Sequence, residues 1–323
     1  MAAGLPGTVR RGLARASGHA AGGERPDDGI RTSGRGRPVT PELSQKLKDA
    51  GLDPQAVENL ARTALEEDGP VDVTSEPIFA PDAVSAGDFR AREAGVVAGI
   101  PVAAVVFELL DVAYEAKAAD GDRVVPGQVL ISVEGPTRAV LRAERTALNL
   151  LTHLSGIATA ARRWTDAMEG TKARVRDTRK TLPGLRALQK YAVACGGGVN
   201  HRMGLHDSAL IKDNHVAAAG SVTKAYEAIR AVYPSLHVQV ECDTLDQVEE
   251  ALAVGAKSIL LDNMTDAEMA EAVRLVAGRA ELEASGGLTL ERARDVAVTG
   301  VDYLAVGALT HSARVFDIGL DFS

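Results

Sequence analysis

From Leu148 onward the apolar residues of this chain fall into short runs separated by helical stretches, a rhythm that few architectures satisfy. The runs are Ala173-Arg174-Val175-Arg176, Ser208-Ala209-Leu210-Ile211, His237-Val238-Gln239-Val240, Ser258-Ile259-Leu260-Leu261, Glu281-Leu282-Glu283-Ala284 and Tyr303-Leu304-Ala305-Val306. Segments this short read as strands, and their later spacing, a little above roughly twenty residues, leaves room for one helix and two tight loops between them. Strand and helix in steady alternation give parallel strands joined by helical crossovers. A closed or nearly closed α/β barrel is therefore predicted.

The preceding part reads differently. Leu43 and Leu47 lie four apart, Gly51 interrupts, and Asp53-Pro54 begins a second helical pattern carrying Val57, Leu60, Ala61, Ala64 and Leu65. Two short helices are predicted, the second stopping at Glu66-Glu67-Asp68-Gly69-Pro70. Asp88 to Arg92 alternates polar and apolar residues and is predicted to be a strand. The apolar stretch Val96 to Leu110 is broken by Pro101 and Glu108 and is too short to cross a bilayer. Gly121 to Ile131 has the glycines and valines of a carrier hairpin without its modified lysine, and is predicted as a β-hairpin of a small α+β domain. Residues 1–38, rich in Arg, Gly, Ala and Ser, offer little to bury and are predicted to be a disordered extension. A transit peptide would suit Val9-Arg10-Arg11-Gly12-Leu13, but Glu24, Asp27 and Asp28 spoil that pattern.

A net charge of −8 over 323 residues leaves no extended basic face for nucleic acid, so any anion site must be local. Cys195 and Cys242 show no metal or disulfide spacing, which fits a reducing, cytoplasmic setting and no membrane association. Gly196-Gly197-Gly198-Val199-Asn200-His201 puts His where a dinucleotide fingerprint needs its third glycine. His201, His206 and His215 match no common zinc spacing.

In a parallel barrel the chemistry lies at the carboxyl ends of the strands. Here those ends read Asp177-Thr178-Arg179-Lys180, Lys212-Asp213-Asn214-His215, Glu241, Asp262-Asn263, Ser285-Gly286-Gly287 and Gly307, with His201-Arg202 on an intervening segment. Arg179, Lys180 and Lys212 converging on one mouth would repel one another unless an anion of several charges neutralised them. Glu241 and Asp262 admit two readings. They are counterions for Lys180 or Lys212, or they face a ribose and a magnesium pyrophosphate and favour positive charge at an anomeric carbon. Ser285-Gly286-Gly287 and Val306-Gly307-Ala308 would let backbone amides approach a phosphate.

Taken in order, Glu144-Arg145-Thr146-Ala147-Leu148-Asn149, Ser155-Gly156-Ile157-Ala158-Thr159, Asp177-Thr178-Arg179-Lys180-Thr181, Asn200-His201-Arg202, Lys212-Asp213-Asn214-His215, Leu261-Asp262-Asn263, Glu283-Ala284-Ser285-Gly286-Gly287 and Gly307-Ala308-Leu309-Thr310-His311 resemble the quinolinate phosphoribosyltransferase family of type II phosphoribosyltransferases. The resemblance runs from about Pro41 to the last residues. It implies an N-terminal α/β sandwich domain of residues 39–142 joined by the tail 310–323, and an open α/β barrel of residues 143–309. It implies a homodimer with shared active sites, in which Arg145 reaches the partner's site. Thr178, Arg179, Lys180, His201, Arg202 and Lys212 would hold quinolinate and phosphate groups. Glu241 and Asp262 would serve the ribose and Mg2+, directly or through water, with Lys180 beside them in the catalytic set. Ser285, Gly286, Gly287, Val306, Gly307 and Ala308 would receive the 5′-phosphate of phosphoribosyl pyrophosphate. Ala305 departs from the serine expected there.

The reaction so implied joins the pyridine nitrogen to the anomeric carbon, expels pyrophosphate and then loses the 2-carboxylate as carbon dioxide. Three rival readings are a nicotinate phosphoribosyltransferase, a non-catalytic phosphometabolite-binding barrel and a Schiff-base aldolase on Lys180 or Lys212. The number of cations favours a diacid, and the paired carboxylates favour catalysis.

Overall fold

The computed structural model describes residues 38–323, and the expected disorder of residues 1–38 lies, Pro38 apart, outside them. Two helices open the described chain. Helix α1 (Pro41–Asp49) begins where the Thr40 hydroxyl accepts from the Leu43 amide at 3.3 Å, and α2 (Pro54–Glu67) where Asp53 accepts from Gln55 at 3.0 Å. Proline suits the first position of each because no helical bond needs its amide hydrogen there. After a single turn, α3 (Ser75–Ile78), comes the strand β1 (Val84–Ala91), which contains most of the predicted segment.

The long apolar stretch becomes α4 (Ile100–Leu109), whose residues are buried all round except Pro101 and Glu108. A helix without a polar face belongs inside. Its one charge is placed usefully, since Glu108 accepts from the Thr40 amide at 2.7 Å and hydroxyl at 2.9 Å. Asp120 satisfies the helix start, accepting from Gly99 and Ile100 amides at 2.8 and 2.9 Å. Among the described residues no helix is long and apolar enough to cross a membrane.

The hairpin expected across Gly121 to Ile131 is not a strand pair. β4 (Arg123–Val124) pairs with β2 (Gly95–Val96), whereas β5 (Val129–Pro136) lies between β1 and β3 (Ala113–Ala116). The intervening turn directs its backbone elsewhere: Gly127 donates to the Ala91 carbonyl at 2.8 Å and Ala91 donates to Gln128 at 3.0 Å. Those bonds splay the two arms apart. The antiparallel sheet is completed by the last strand, β12 (Ile318–Phe322), in the order β12-β1-β5-β3.

Helix α5 (Thr137–Ala167), 31 residues long, runs from this sheet to the second one. Ser155 and Thr159, four apart on one face, bond to the backbone of a neighbouring segment, receiving the Ala98 and Val96 amides at 3.0 and 2.9 Å. Between them Gly156 lets the returning tail cross at the Arg314 carbonyl, where a side chain would collide.

All six apolar runs are strands: β6 (Arg174–Arg176), β7 (Ala209–Ile211), β8 (Val238–Cys242), β9 (Ser258–Asp262), β10 (Glu281–Ser285) and β11 (Tyr303–Ala305). They form one parallel sheet in the order β6-β11-β10-β9-β8-β7. The barrel is open, as the family resemblance implies: β6 and β7 do not pair among the described residues. The free side of β6 is taken instead by Val199, which donates to Val175 at 2.9 Å and accepts from Asp177 at 3.1 Å. Helix α6 (Arg186–Cys195) makes that return.

The crossing at Gly156 gives a prediction. Alanine is the better helix former by up to about 1 kcal/mol, but overpacking against backbone costs about 1–3 kcal/mol, so the clash wins. Gly156→Ala should lower the urea midpoint; an equal or higher midpoint would refute the close crossing.

Candidate active site

Side chains alternate along a strand, so residues two apart share a face. Lys212, Glu241, Asp262 and Ser285 stand at the strand ends, and two residues back on the same faces stand Leu210, Gln239, Leu260 and Glu283. Above them opens a cavity of about 430 Å³, lined by Thr178, Arg179, Lys180, His201, Arg202, Lys212, Glu241, Asp262 and Ser285 of the expected residues, with Leu210, Leu260, Glu283 and Ala305. The departing Ala305 thus forms part of the wall.

Charge in this cavity is unbalanced. Lys212 donates to Glu241 at 2.9 Å, so this carboxylate pairs with a cation of the same cavity. Asp262 accepts from the Asn263 side chain at 2.6 Å and, among the described residues, pairs with no cation. Among the described residues no ion pair neutralises Arg179, Lys180 or Arg202. The Nε of Arg179 is buried without a partner. Burial first, and the nearby Arg179 charge second, pull the Arg202 pKa below its usual value. Each effect disfavours another cation and favours an anion bound between them.

The cation-bearing loops are held from beneath by Lys190, which the sequence did not single out, and by Asp177, which it named only as the head of the first strand end. Asp177 and Lys190 form an ion pair with both side chains buried. Asp177 also accepts from the His201 amide at 2.8 Å, while Lys190 donates to the His201 carbonyl at 2.9 Å. The same pair therefore fixes the start of the 178–180 loop and both backbone groups of His201. Burial pushes the Asp177 carboxyl up and the Lys190 ammonium down, in each case against the attraction of the partner. Below lies a second polar layer: Arg176 donates to Glu283 at 2.8 Å, Gln239 donates to Glu283 at 2.9 Å, and Gln239 meets the His201 ring at 2.8 Å. Arg176 also stacks on Tyr303, 3.3 Å from the ring centre. Reading two residues back from each strand end would have found this layer; nothing in the pattern of α6 marks Lys190.

Six expected residues stand off the cavity wall. Gly286 and Gly287, at φ +91 and +58, turn the chain directly after Ser285, and Gly286 packs against Asn263 where no Cβ could fit. The Val306 amide is bonded to the Arg176 carbonyl at 2.9 Å, and Gly307 lies against the Lys180 stem, followed by Ala308 at the start of a short helix. Arg145 is exposed on α5 and lines a separate, mainly apolar cavity of about 240 Å³ with Leu60, Ala64, Leu185 and Leu188.

Breaking a buried pair strands a charge, at a cost of about 3–5 kcal/mol, whereas removing both charges costs much less. Lys190→Met should therefore destabilise the fold by that amount, and adding Asp177→Asn should restore most of it. Denaturant unfolding of both variants checks this; an additive second loss would disprove the coupling.

A model of the quinolinate phosphoribosyl transferase C-terminal domain matches residues 157–321, and a model of its N-terminal domain matches residues 72–155. A nicotinate-nucleotide pyrophosphorylase (carboxylating) from Mycobacterium leprae is 52% identical over 286 residues, covering 85% of this chain and 99% of that protein. A quinolinate phosphoribosyltransferase (decarboxylating) from Nicotiana tabacum is 40% identical, covering 82% of this chain and 81% of its own. The crystal structure of NadC from Streptococcus pyogenes superposes with a TM-score of 0.82 at 39% identity, covering 84% of this chain and 98% of that one. A human nicotinic acid phosphoribosyltransferase, at 15% identity and a TM-score of 0.51, shares the fold alone. With two domain models spanning most of its length and relatives of this identity, the chain belongs to the quinolinate phosphoribosyltransferase family.

Proposed function

We propose that the cavity joins quinolinate to phosphoribosyl pyrophosphate and releases nicotinate mononucleotide, pyrophosphate and carbon dioxide, a proton from solvent taking up the electron pair that the lost carboxylate leaves on the ring carbon. The observation that carries the reading is the surplus of cations: Arg179, Lys180, Arg202 and Lys212 line one cavity against Glu241, Asp262 and Glu283, the last of them already paired with Arg176. A planar diacid beside a phosphorylated sugar supplies the missing negative charge, and Leu210, Leu260 and Ala305 give its ring an apolar wall. Arg179 and Arg202 offer the forked donors that suit carboxylates, and Lys180 and Lys212 the point charges that suit phosphates.

Glu241 and Asp262 end neighbouring strands and open into the same cavity. One or two carboxylates with substrate phosphates are what Mg2+ ordinarily takes from a protein, so these two residues fit it, directly or through water. Bound there, Mg2+ would neutralise the departing pyrophosphate. The chain's own work is to hold the pyridine nitrogen in line with the anomeric carbon and to stabilise the charge that develops there, Asp262 and Glu241 facing the ribose. No general base is needed, since the ring nitrogen attacks with its lone pair. Backbone at Ser285 to Gly287 and Val306 to Ala308 would flank the 5′-phosphate. Two free cysteines, both with thiols pushed up to about 12 by burial, fit a cytoplasmic setting.

Incubation with quinolinate, phosphoribosyl pyrophosphate and Mg2+ should give nicotinate mononucleotide and carbon dioxide, with activity lost on chelation. Arg179→Ala, which removes charge-assisted bonds, should raise the KM for quinolinate about ten- to a hundredfold without lowering the melting temperature. Turnover of nicotinate in place of quinolinate would overturn the reading.

Arg145 belongs to the proposal through a second copy of the chain. It lies away from its own cavity, so we propose a homodimer with shared sites in which it completes the partner's. Mixing inactive Arg145→Ala and Lys180→Ala proteins should then regenerate roughly a quarter of normal activity, since about half the dimers are mixed and each has one intact site. No recovery after subunit exchange, verified by native mass spectrometry, would exclude action across the dimer.

A further inference from the structure

The hydrogen bonds around His201 allow one arrangement of protons. The carboxylate of Glu283 can only accept, and its Oε2 receives the Arg176 guanidinium at 2.8 Å and the Gln239 amide at 2.9 Å. Gln239 must therefore turn its NH2 group to Glu283 and its carbonyl oxygen to His201, 2.8 Å from Nε2. Nε2 then carries the ring hydrogen. The other nitrogen, Nδ1, keeps its lone pair and receives the Arg202 backbone amide at 2.7 Å. A second ring proton would set Nδ1–H against that N–H with no acceptor between them.

We infer that Gln239 and Glu283 are positioning residues that lock His201 as a neutral Nε2–H imidazole, whose task is to hold the Arg202 amide rather than to give charge or a proton to the substrate. This rests on the reading of the cavity as the quinolinate site and goes beyond it, because it removes His201 from the cations that face the diacid. The charged groups around the ring come from three elements: Glu283 of β10, 3.7 Å from Nε2, Arg176 of β6, and Lys190 of α6, which grips the His201 carbonyl. Burial of the ring is the foremost influence and lowers its pKa; Glu283 and the Gln239 hydrogen bond favour protonation, and Arg176 and Lys190 oppose it. The backbone of His201 is fixed by Asp177 and Lys190 and its ring by Gln239, so the Arg202 guanidinium, itself held to the Ser208 carbonyl at 2.9 Å, has little freedom to turn from the cavity.

The test uses the intact, unliganded chain with 15N-labelled histidine, His201 being assigned by its loss in His201→Gln. His201 should show a protonated Nε2 and an unprotonated Nδ1 that stay unchanged from about pH 8 to about pH 5.5, across the ordinary histidine range. Titration in that window, or the opposite tautomer, would overturn the inference. Gln239→Met, which deletes the relay, should free the ring to change tautomer and raise the KM for quinolinate about three- to tenfold, the scale of one lost hydrogen bond, while kcat at saturation stays within about threefold. Unchanged KM with unchanged ring signals would also overturn it. Arg202→Ala separates the two readings: if it leaves quinolinate binding intact, the placement of the diacid fails; if it weakens binding while Gln239→Met does not, the positioning role fails.

Discussion

The geometry of the mouth depends on one buried ion pair. Lys190 and Asp177 sit where neither can reach water, and burial displaces both toward their neutral forms despite their mutual attraction. Such a pair contributes little net stability compared with an apolar replacement. What it contributes is direction. The Asp177 carboxylate ends β6 and the Lys190 ammonium projects from α6, and between them they hold the backbone of His201, so that two loops carrying Arg179, Lys180 and Arg202 are fixed relative to each other before any ligand arrives. Four like charges in one cavity would otherwise separate into solvent, and preorganisation is what converts them into a binding site.

The same use of buried polar groups joins the two sheets. Ser155 and Thr159 of α5 satisfy the strand-like segment from Val96 to Ala98, and Asp120, which starts α4, also receives the Tyr191 hydroxyl from α6 at 2.6 Å. An unbonded buried amide costs about 1–3 kcal/mol, so each of these contacts penalises sliding of one part over the other. Apolar packing supplies the adhesion, while the hydroxyls and the carboxylate specify the register.

Much of this was legible in the chain. The six short runs could be little else than strands, and the chemistry at their ends followed from direction alone, which is why Arg179, Lys212, Glu241 and Asp262 were placed in one cavity by both sequence and structure. The runs alone left open whether the barrel closes, because that turns on the edge of β6 being occupied by Val199, a contact between segments that no local pattern encodes; the openness was legible only through the family resemblance. The failed hairpin has a similar cause, since the Gly127 amide and the Gln128 carbonyl bond to Ala91, and across the turn the Gln128 amide reaches only Val125. Arg176, Gln239 and Glu283 were hidden as single polar residues inside apolar runs. Lys190 was hidden further, because a lysine on an amphipathic helix ordinarily reads as solvated.

The pairing of β1 with β12 places strands from opposite ends of the described chain side by side. During synthesis the antiparallel sheet therefore waits, with one edge of β1 unpaired, until every strand of the barrel has emerged. An open edge is a template for association with other chains, so the interval is a hazard that lengthens with slow translation. Asp88 and Arg90 on β1, which pair with each other, Arg90 also reaching Asp321 once the tail docks, put charge on that edge while it is bare. The two halves are thus unequal in time as well as in architecture: the α/β barrel can assemble on its own strands, whereas the sheet encoded first is the last to be finished.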